Sequence, residues 1–271
     1  MQHRTSPLVF ITGASSGIGQ ALALRYHQAG WRLALVARRA DIMHDWARSQ
    51  GLNTDDYSVF AADVSDNASI IEAAEQCLAN LGLPEVVIAN AGISQGMDTA
   101  VRADLAVMQR VMATNVLGLA ATFHPFIVPM QAQANERDAP AFTLVGIASV
   151  AGIRGLPGHA AYCASKAAVI SYCESLRGEL RGHGGRKGVR VVTIAPGYVD
   201  TPLTRKNKYP MPFLMSSQAF ADRAFSAIAA GTPYRVIPWP MGVVGLLLRL
   251  LPNAWFDRLL QNQPRKHRDP L

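Results

Sequence analysis

The 271-residue chain is 49% hydrophobic and 17% charged, a balance that excludes wholesale disorder and suits one α/β domain with a sizeable core. Its formal charge of +7 and pI near 9.6 would suit nucleic acid, anionic lipid or a phosphorylated ligand. Nucleic acid is set aside: the basic residues peak in RGHGGRKGVR (181–190), TRKNKY (204–209) and RKHRD (265–269), without aromatic interleaving or zinc-finger spacing.

In chain order, strand-like runs appear at 8–13 (LVFITG), 32–37 (RLALVA), 57–64 (YSVFAADV), 85–92 (EVVIANAG), 142–149 (FTLVGIAS), 190–197 (RVVTIAPG) and 234–238 (YRVIP). They are continuously apolar, as strands buried on both faces are, and helical segments separate them. Residues 18–29 have helical length and periodicity, as do 66–80, where Ser65 or Asp66 supplies the cap. The pattern specifies a doubly wound parallel sheet of Rossmann type, in one domain spanning 1–271, without repeats or linkers. Right-handed crossovers set the carboxyl ends of the strands along one edge, where such sheets bind ligands.

Three cysteines, Cys77, Cys163 and Cys173, form no C-x-x-C pair, which speaks against a disulfide framework or structural zinc and for a reducing, cytoplasmic setting. Only seven residues precede the first strand, too few for a signal peptide with its own apolar region. His124, His159 and His183 have no second ligand at helical spacing, so no metal site is expected.

After the first strand comes TGASSGIG, Thr12 to Gly19, leading into a helix. Glycines allow a tight turn and close backbone approach, and the helix offers free N–H groups to a pyrophosphate. No G-K-[ST] follows, so this is not a P-loop. At the end of the second strand, Arg38 and Arg39 stand where dinucleotide folds often place an acid for the ribose hydroxyl. Guanidinium groups there select a 2′-phosphate and hence NADP(H), unless both are solvated loop residues. Further on, AAYCASKAAV (160–169) sets Tyr162 and Lys166 one helical turn apart among small residues. By itself this also reads as an ordinary surface helix.

TGASSGIG, ANAG (89–92), Asn115 in MATNV, Ser149, YCASK and PGYVDT (196–201) follow one another as in the short-chain dehydrogenase/reductase family, which residues 7–202 resemble. Thirteen positions separate Ser149 from Tyr162, as in the family; Ala89 stands where the family often has a second asparagine. The resemblance implies hydride exchange between a nicotinamide cofactor and a carbonyl or alcohol. Tyr162 would be the proton donor or acceptor. Lys166 would lower its pKa, because an ammonium stabilises a nearby phenolate, and would hold the nicotinamide ribose. Ser149 would bind the substrate oxygen, and Asn115 would position a relay water.

By the same resemblance the cofactor would meet Gly13, Ser15, Ser16, Gly17, Ile18 and Gly19 in the turn, Asp63 and Val64 near the adenine, Asn90, Ala91 and Gly92 along the ribose, and Pro196, Val199 and Thr201 around the nicotinamide. Asp63 reads equally well as a helix cap beside Ser65. A homodimer or homotetramer is also implied.

The resemblance implies that residues 202–231, which follow PG, form a lid over the substrate; the first half of the segment is rich in Pro, Met and Phe, and the second is a helix capped at Ser216 or Ser217. Lining by Met211, Phe213, Leu214 and Met215 would favour apolar substrates, unless the lid packs on its own core. Residues 236–256 are almost wholly apolar but are interrupted by Pro238, Pro240, Arg249 and Pro252, against a membrane-spanning helix. Three readings of 236–271 stand: a buried terminal helix, a subunit interface, or a peripheral membrane contact with Trp239 and Trp255 at the interface and a basic tail. The whole reads as an NADP(H)-dependent oxidoreductase of an apolar carbonyl or alcohol. The alternatives are a non-catalytic NADP(H)-binding regulator or scaffold and, less suited to the Ser149 and YCASK spacing, a reductase of enoyl or acyl-carrier substrates.

Overall fold

The computed structural model describes residues 6–134, 136, 141–182, 188–205, 207 and 210–261. Seven parallel strands form its sheet: β1 (Leu8–Thr12), β2 (Arg32–Ala37), β3 (Tyr57–Ala61), β4 (Val86–Ala89), β5 (Thr143–Ile147), β6 (Arg190–Pro196) and, after the short pair β7 (Val199–Asp200) and β8 (Met215–Ser216), β9 (Tyr234–Ile237). Their spatial order is β3-β2-β1-β4-β5-β6-β9. Order reverses between β1 and β4, so the crevice beyond their carboxyl ends is the ligand site this topology provides.

The interleaving helices are α1 (Gly17–Gln28), α2 (Ala40–Ser49), α3 (Asn67–Leu81), α4 (Leu105–Met112), α5 (Gly118–Ala134), α6 (Ala160–Glu179), α7 (Ser217–Ala229), α8 (Trp239–Leu250) and α9 (Asn253–Leu260). The continuous apolar runs are explained by burial on both faces. In β1, Leu8 and Phe10 join a core with Ile70, Phe123, Phe126 and Val169 from α3, α5 and α6. Val9 and Ile11 join the opposite core with Leu22, Tyr26, Met43 and Phe220 from α1, α2 and α7. All three cysteines are buried thiols outside any disulfide.

Asp66 caps α3, its carboxylate accepting from Ala68 N at 3.0 Å and Ser69 N at 3.4 Å, and Ser216 caps α7 through Ala219 N at 3.2 Å. Three strands stop two or three residues before the apolar runs do: β3 at Ala61, β4 at Ala89 and β5 at Ile147. The residues that follow turn away from the ladder over the crevice, and among them are Asp63, Asn90 and Ser149. The run Arg102–Ala134 has the length and apolar character of a membrane-crossing helix, but here it is a layer of the domain, with α4 against α6 and α5 against α3. A π-helical turn, Ala113–Leu117, interrupts it at Asn115.

Candidate active site

The glycine turn is built by exclusion of side chains. A Cβ on Gly13 (φ +65°) would lie 2.7 Å from Ala91 Cα, and one on Gly19 would lie 2.2 Å from the Gly13 oxygen. Asn90 ties the turn to β4: its Nδ2 donates to the Thr12 and Gly13 oxygens at 3.0 and 3.2 Å, while Thr12 Oγ1 accepts from Asn90 N and Ala91 N at 3.1 and 3.2 Å. Helix α1 then begins at Ser16, whose side chain makes no capping bond, and no acid stands in the first turn. These N–H groups and the helix dipole fit a pyrophosphate.

A cleft of about 700 Å³ runs from this turn across the carboxyl edge of the sheet. Its lining brings together Gly13, Ser15, Ser16, Gly17, Ile18, Arg38, Asp63, Val64, Asn90, Ala91, Gly92, Ser149, Tyr162, Lys166, Pro196, Val199 and Thr201. Gly19, Arg39 and Asn115 are not in that lining. Gly19 lies beneath the turn, Arg39 is the N-cap position of α2, and Asn115 is buried behind Gly92.

Arg38, after β2, is an exposed cation of the cleft, as is Arg110, and Arg38 Nη1 lies 3.8 Å from Asp63 Oδ2. An exposed pair at this distance is weak, so the guanidinium stays available to another anion. Asp63 does not cap α3; it accepts from Ser65 N at 2.9 Å and Ser65 Oγ at 2.7 Å. Desolvation pushes its carboxyl up, but the Ser65 hydrogen bonds and Arg38 together hold it below the ordinary value.

Ser149 follows β5, Tyr162 and Lys166 lie on α6, and the three converge. Lys166 is 5% exposed and its Nζ donates to the Ile147 oxygen at 2.8 Å. Burial pulls the ammonium down to about 8. For Tyr162, the expected lowering by Lys166 is not found, and its pKa stands above the ordinary value. Desolvation raises its pKa, opposed by a hydrogen bond with Ser149, and the ammonium sits 5.8 Å from the ring centroid, bonded elsewhere. Asn115 clamps the floor: Oδ1 accepts from Ile93 N at 2.8 Å, and Nδ2 donates to Ile93 O and Ser165 Oγ at 2.9 Å each. Ser165 Oγ in turn donates to the main-chain carbonyl oxygen of Tyr162 at 2.8 Å. A Cβ on Gly92 would meet both Asn115 Oδ1 (3.3 Å) and Lys166 Nζ (3.5 Å), so the missing side chain leaves Lys166 open to the cleft.

A second cavity, of about 420 Å³, shares Ser149 and Tyr162 with the cleft and is otherwise largely apolar. Ile153, Leu156, Phe213, Met241, Val244 and Leu248 line it. Of the four lid residues named from the sequence, Phe213 alone is in this lining. Met215 sits in β8 and packs on the core instead, while Leu203, Asn207 and Pro212 join the wall. His159, whose ring nitrogen meets the Pro157 oxygen at 3.0 Å, also borders the cavity. His124 is exposed on α5, and His183 lies outside the described residues.

Sequence reasoning missed the wall contributed by α8. Its residues 241, 244, 245 and 248 have helical spacing, a readable stripe, but nothing local told which surface it covers. Arg154 fixes it there. Its guanidinium donates to the Leu248 oxygen, to the Leu251 oxygen at 2.6 Å and to Asn253 Oδ1 at 2.9 Å, and it stacks 3.7 Å over the Phe256 ring. Arg249 reciprocates by donating to the Ile153 oxygen at 3.3 Å. Together these cations satisfy the end of α8 and pin it to the loop after Ser149.

The model of the short chain dehydrogenase family matches residues 7–211. An uncharacterized oxidoreductase of Myxococcus xanthus is 36% identical over 260 residues, 95% of this chain and 96% of that protein. Dehydrogenase/reductase SDR family member 7B of Bos taurus is 30% identical over 281 residues, 96% and 82% of the two chains. A short chain dehydrogenase/reductase of Burkholderia phymatum, solved in complex with NAD, superposes with a TM-score of 0.77 at 26% identity, covering 100% of this chain and 99% of its own.

Arg154→Ala should free α8 and α9 without touching the sheet. Loss of charge-assisted bonds of about 1.5–3 kcal/mol should speed amide exchange in residues 239–260 by at least about tenfold, with β1 to β6 unchanged. Unchanged exchange in 239–260 would show that Arg154 does not hold the wall.

Proposed function

The chain belongs to the short-chain dehydrogenase/reductase family, oxidoreductases that use a nicotinamide cofactor, and we propose that it interconverts an apolar carbonyl compound and its alcohol with NADP(H). The observation that carries the reading is the shared wall: Ser149 and Tyr162 border both the dinucleotide-shaped cleft and the apolar cavity. A molecule in either space reaches the same two hydroxyls.

The cofactor, when bound, supplies or takes the hydride. The glycine turn and the start of α1 hold its pyrophosphate, and Lys166 and Asn90 stand along the part of the cleft beside Gly92. Arg38 meets the 2′-phosphate. Ser149 and Tyr162 hold the substrate oxygen between them. In reduction Tyr162 gives up its phenolic proton to that oxygen; in oxidation it takes the proton back. Lys166 stabilises the phenolate that each reduction leaves behind, and Asn115 ties the Ile93 main chain to Ser165, which bonds the Tyr162 backbone. The preference for NADP(H) rests on Arg38 rather than on kinship, since the Burkholderia phymatum neighbour is in complex with NAD. A homo-oligomer, placed in the cytoplasm, completes the reading; the oligomer is supported by the exposed Leu105 on α4, Leu117 at the end of the π turn and Val128 on α5.

Tyr162→Phe removes the proton donor but keeps the ring, so turnover of apolar ketones should drop by at least about a hundredfold while NADPH affinity holds. Retained turnover would remove Tyr162 from acid–base work, and absence of turnover in the unsubstituted protein would favour a non-catalytic binder.

Arg38→Asp should reverse cofactor preference, because a charged contact to phosphate contributes on the order of 1.5–3 kcal/mol, roughly ten- to a hundredfold in affinity. Equal binding of both cofactors by the original protein, or an unchanged ratio in the variant, contradicts the assignment.

The pH dependence follows from Lys166. Its ammonium is charged below its pKa of about 8 and loses its charge above it, so carbonyl reduction should hold from neutrality to about pH 8 and decline beyond. A rate that rises through that window would mean the charged form is not the working one.

A further inference from the structure

Helix α8 has two apolar faces. Residues Met241, Val244, Gly245 and Leu248, at helical spacing, line the second cavity. On the other face Trp239, Val243, Leu246, Leu247 and Leu250 are 70, 48, 59, 62 and 71% exposed, and Trp255 and Leu259 on α9 extend the patch at 69 and 55%. No comparable cluster occurs elsewhere among the described residues, where large exposed apolar side chains stand singly or in short groups. A patch of this kind marks a contact surface. It is also continuous with the cavity, because Leu203, Phe213 and Val244 line the cavity while being 39, 53 and 38% exposed.

Charge distinguishes between the surfaces it could meet. From residue 232 onward the sequence holds six Arg and Lys residues, Arg235, Arg249, Arg258, Arg265, Lys266 and Arg268, against two acids, Asp257 and Asp269. A second copy of the same patch would bring like charges together, whereas an anionic lipid surface complements them. Two tryptophans at the edges of an apolar face suit the interfacial region of a bilayer. Helix α8 has 12 residues, about 18 Å of helix against a hydrocarbon core of about 30 Å, so it can lie in the interface but cannot cross it.

We propose that the exposed faces of α8 and α9 rest on an anionic membrane surface, with the mouth of the apolar cavity turned towards the lipid. A lipophilic carbonyl or alcohol then reaches Ser149 and Tyr162 from the bilayer without passing through water. This last step rests on the oxidoreductase reading above; the docking itself does not.

The test is sedimentation of the full-length protein with vesicles of phosphatidylcholine alone and of phosphatidylcholine with phosphatidylglycerol, beside the triple variant Leu246→Ser, Leu247→Ser, Leu250→Ser. None of these three residues borders the cleft or the cavity, so the variant should keep its Tm, its NADPH affinity and its turnover of a short water-soluble carbonyl. The original protein should pellet with the anionic vesicles, less so as salt is raised, and Trp fluorescence should shift to the blue. The variant should bind at least about tenfold more weakly. The proposal is overturned if the original protein stays in the supernatant at low salt, or if the variant binds as well. It is equally overturned if light scattering shows that the substitutions instead convert a dimer to monomers, which assigns the patch to a second copy. Vesicle binding without any turnover would sink the oxidoreductase reading and leave the docking surface standing.

Discussion

The bond from Lys166 Nζ to the Ile147 oxygen, 2.8 Å long and buried, sets the register between α6 and the end of β5. Ser149 lies two residues beyond that carbonyl and Tyr162 one helical turn before that lysine, so one contact fixes the approach of the two hydroxyls. The packing allows little slack: a Cβ on Gly152 would stand 2.6 Å from the Lys166 carbonyl carbon, so the turn after Ser149 lies directly on the α6 backbone. Burying an ammonium is unfavourable, and a pKa reduced from 10.5 to about 8 corresponds to about 3 kcal/mol. Stability alone would favour an apolar side chain here. A charge retained against that cost is the pattern expected of a functional site.

Around this contact the fold separates two tasks. The sheet edge, the glycine turn and the Asn90 clamp form a polar cleft whose shape is fixed by backbone. The lid and α8 form an apolar cavity whose shape is fixed by side chains. Arg154 joins the two, since it belongs to the loop after Ser149 yet bonds the end of α8. The α8 wall of the cavity is thereby held by the same loop that follows Ser149. Asn115 plays a comparable part below the cleft, where a π turn redirects its amide to the main chain of Ile93 and to Ser165.

Much of this was legible in the sequence, for identifiable reasons. All seven strands of the sheet could be read from the chain as apolar runs: the central ones are buried on both faces, while the edge strands β3 and β9 are partly exposed. The glycine turn was legible from its place between the first strand and a helix, whereas Ser149, Tyr162 and Lys166 were named through the family resemblance, since their spacing alone also reads as an ordinary surface helix. Strand ends were read too long at Asp63, Asn90 and Ser149, because apolarity continues where the chain leaves the ladder to line the cleft. Asp63 stayed ambiguous between cap and cleft residue, and the structure gives the α3 cap to Asp66. What the sequence could not supply was contact across long separations. Arg154 and Leu248 are 94 positions apart, and Asn115 and Ser165 are 50 apart. The place of α8 depends on such pairs, so the sequence could not show that its inner stripe lines the cavity.

The central claim is that Ser149 and Tyr162 form a wall common to a nicotinamide cleft and an apolar substrate cavity, so that the carbonyl carbon faces the cofactor directly. It is tested most directly by reducing an apolar ketone with NADPH carrying deuterium at C4 and locating the label in the alcohol. The account predicts that the alcohol formed with one of the two C4-deuterated epimers carries deuterium on its carbinol carbon, with none lost to solvent. Label appearing in water, or an unlabelled alcohol from both epimers, would contradict it.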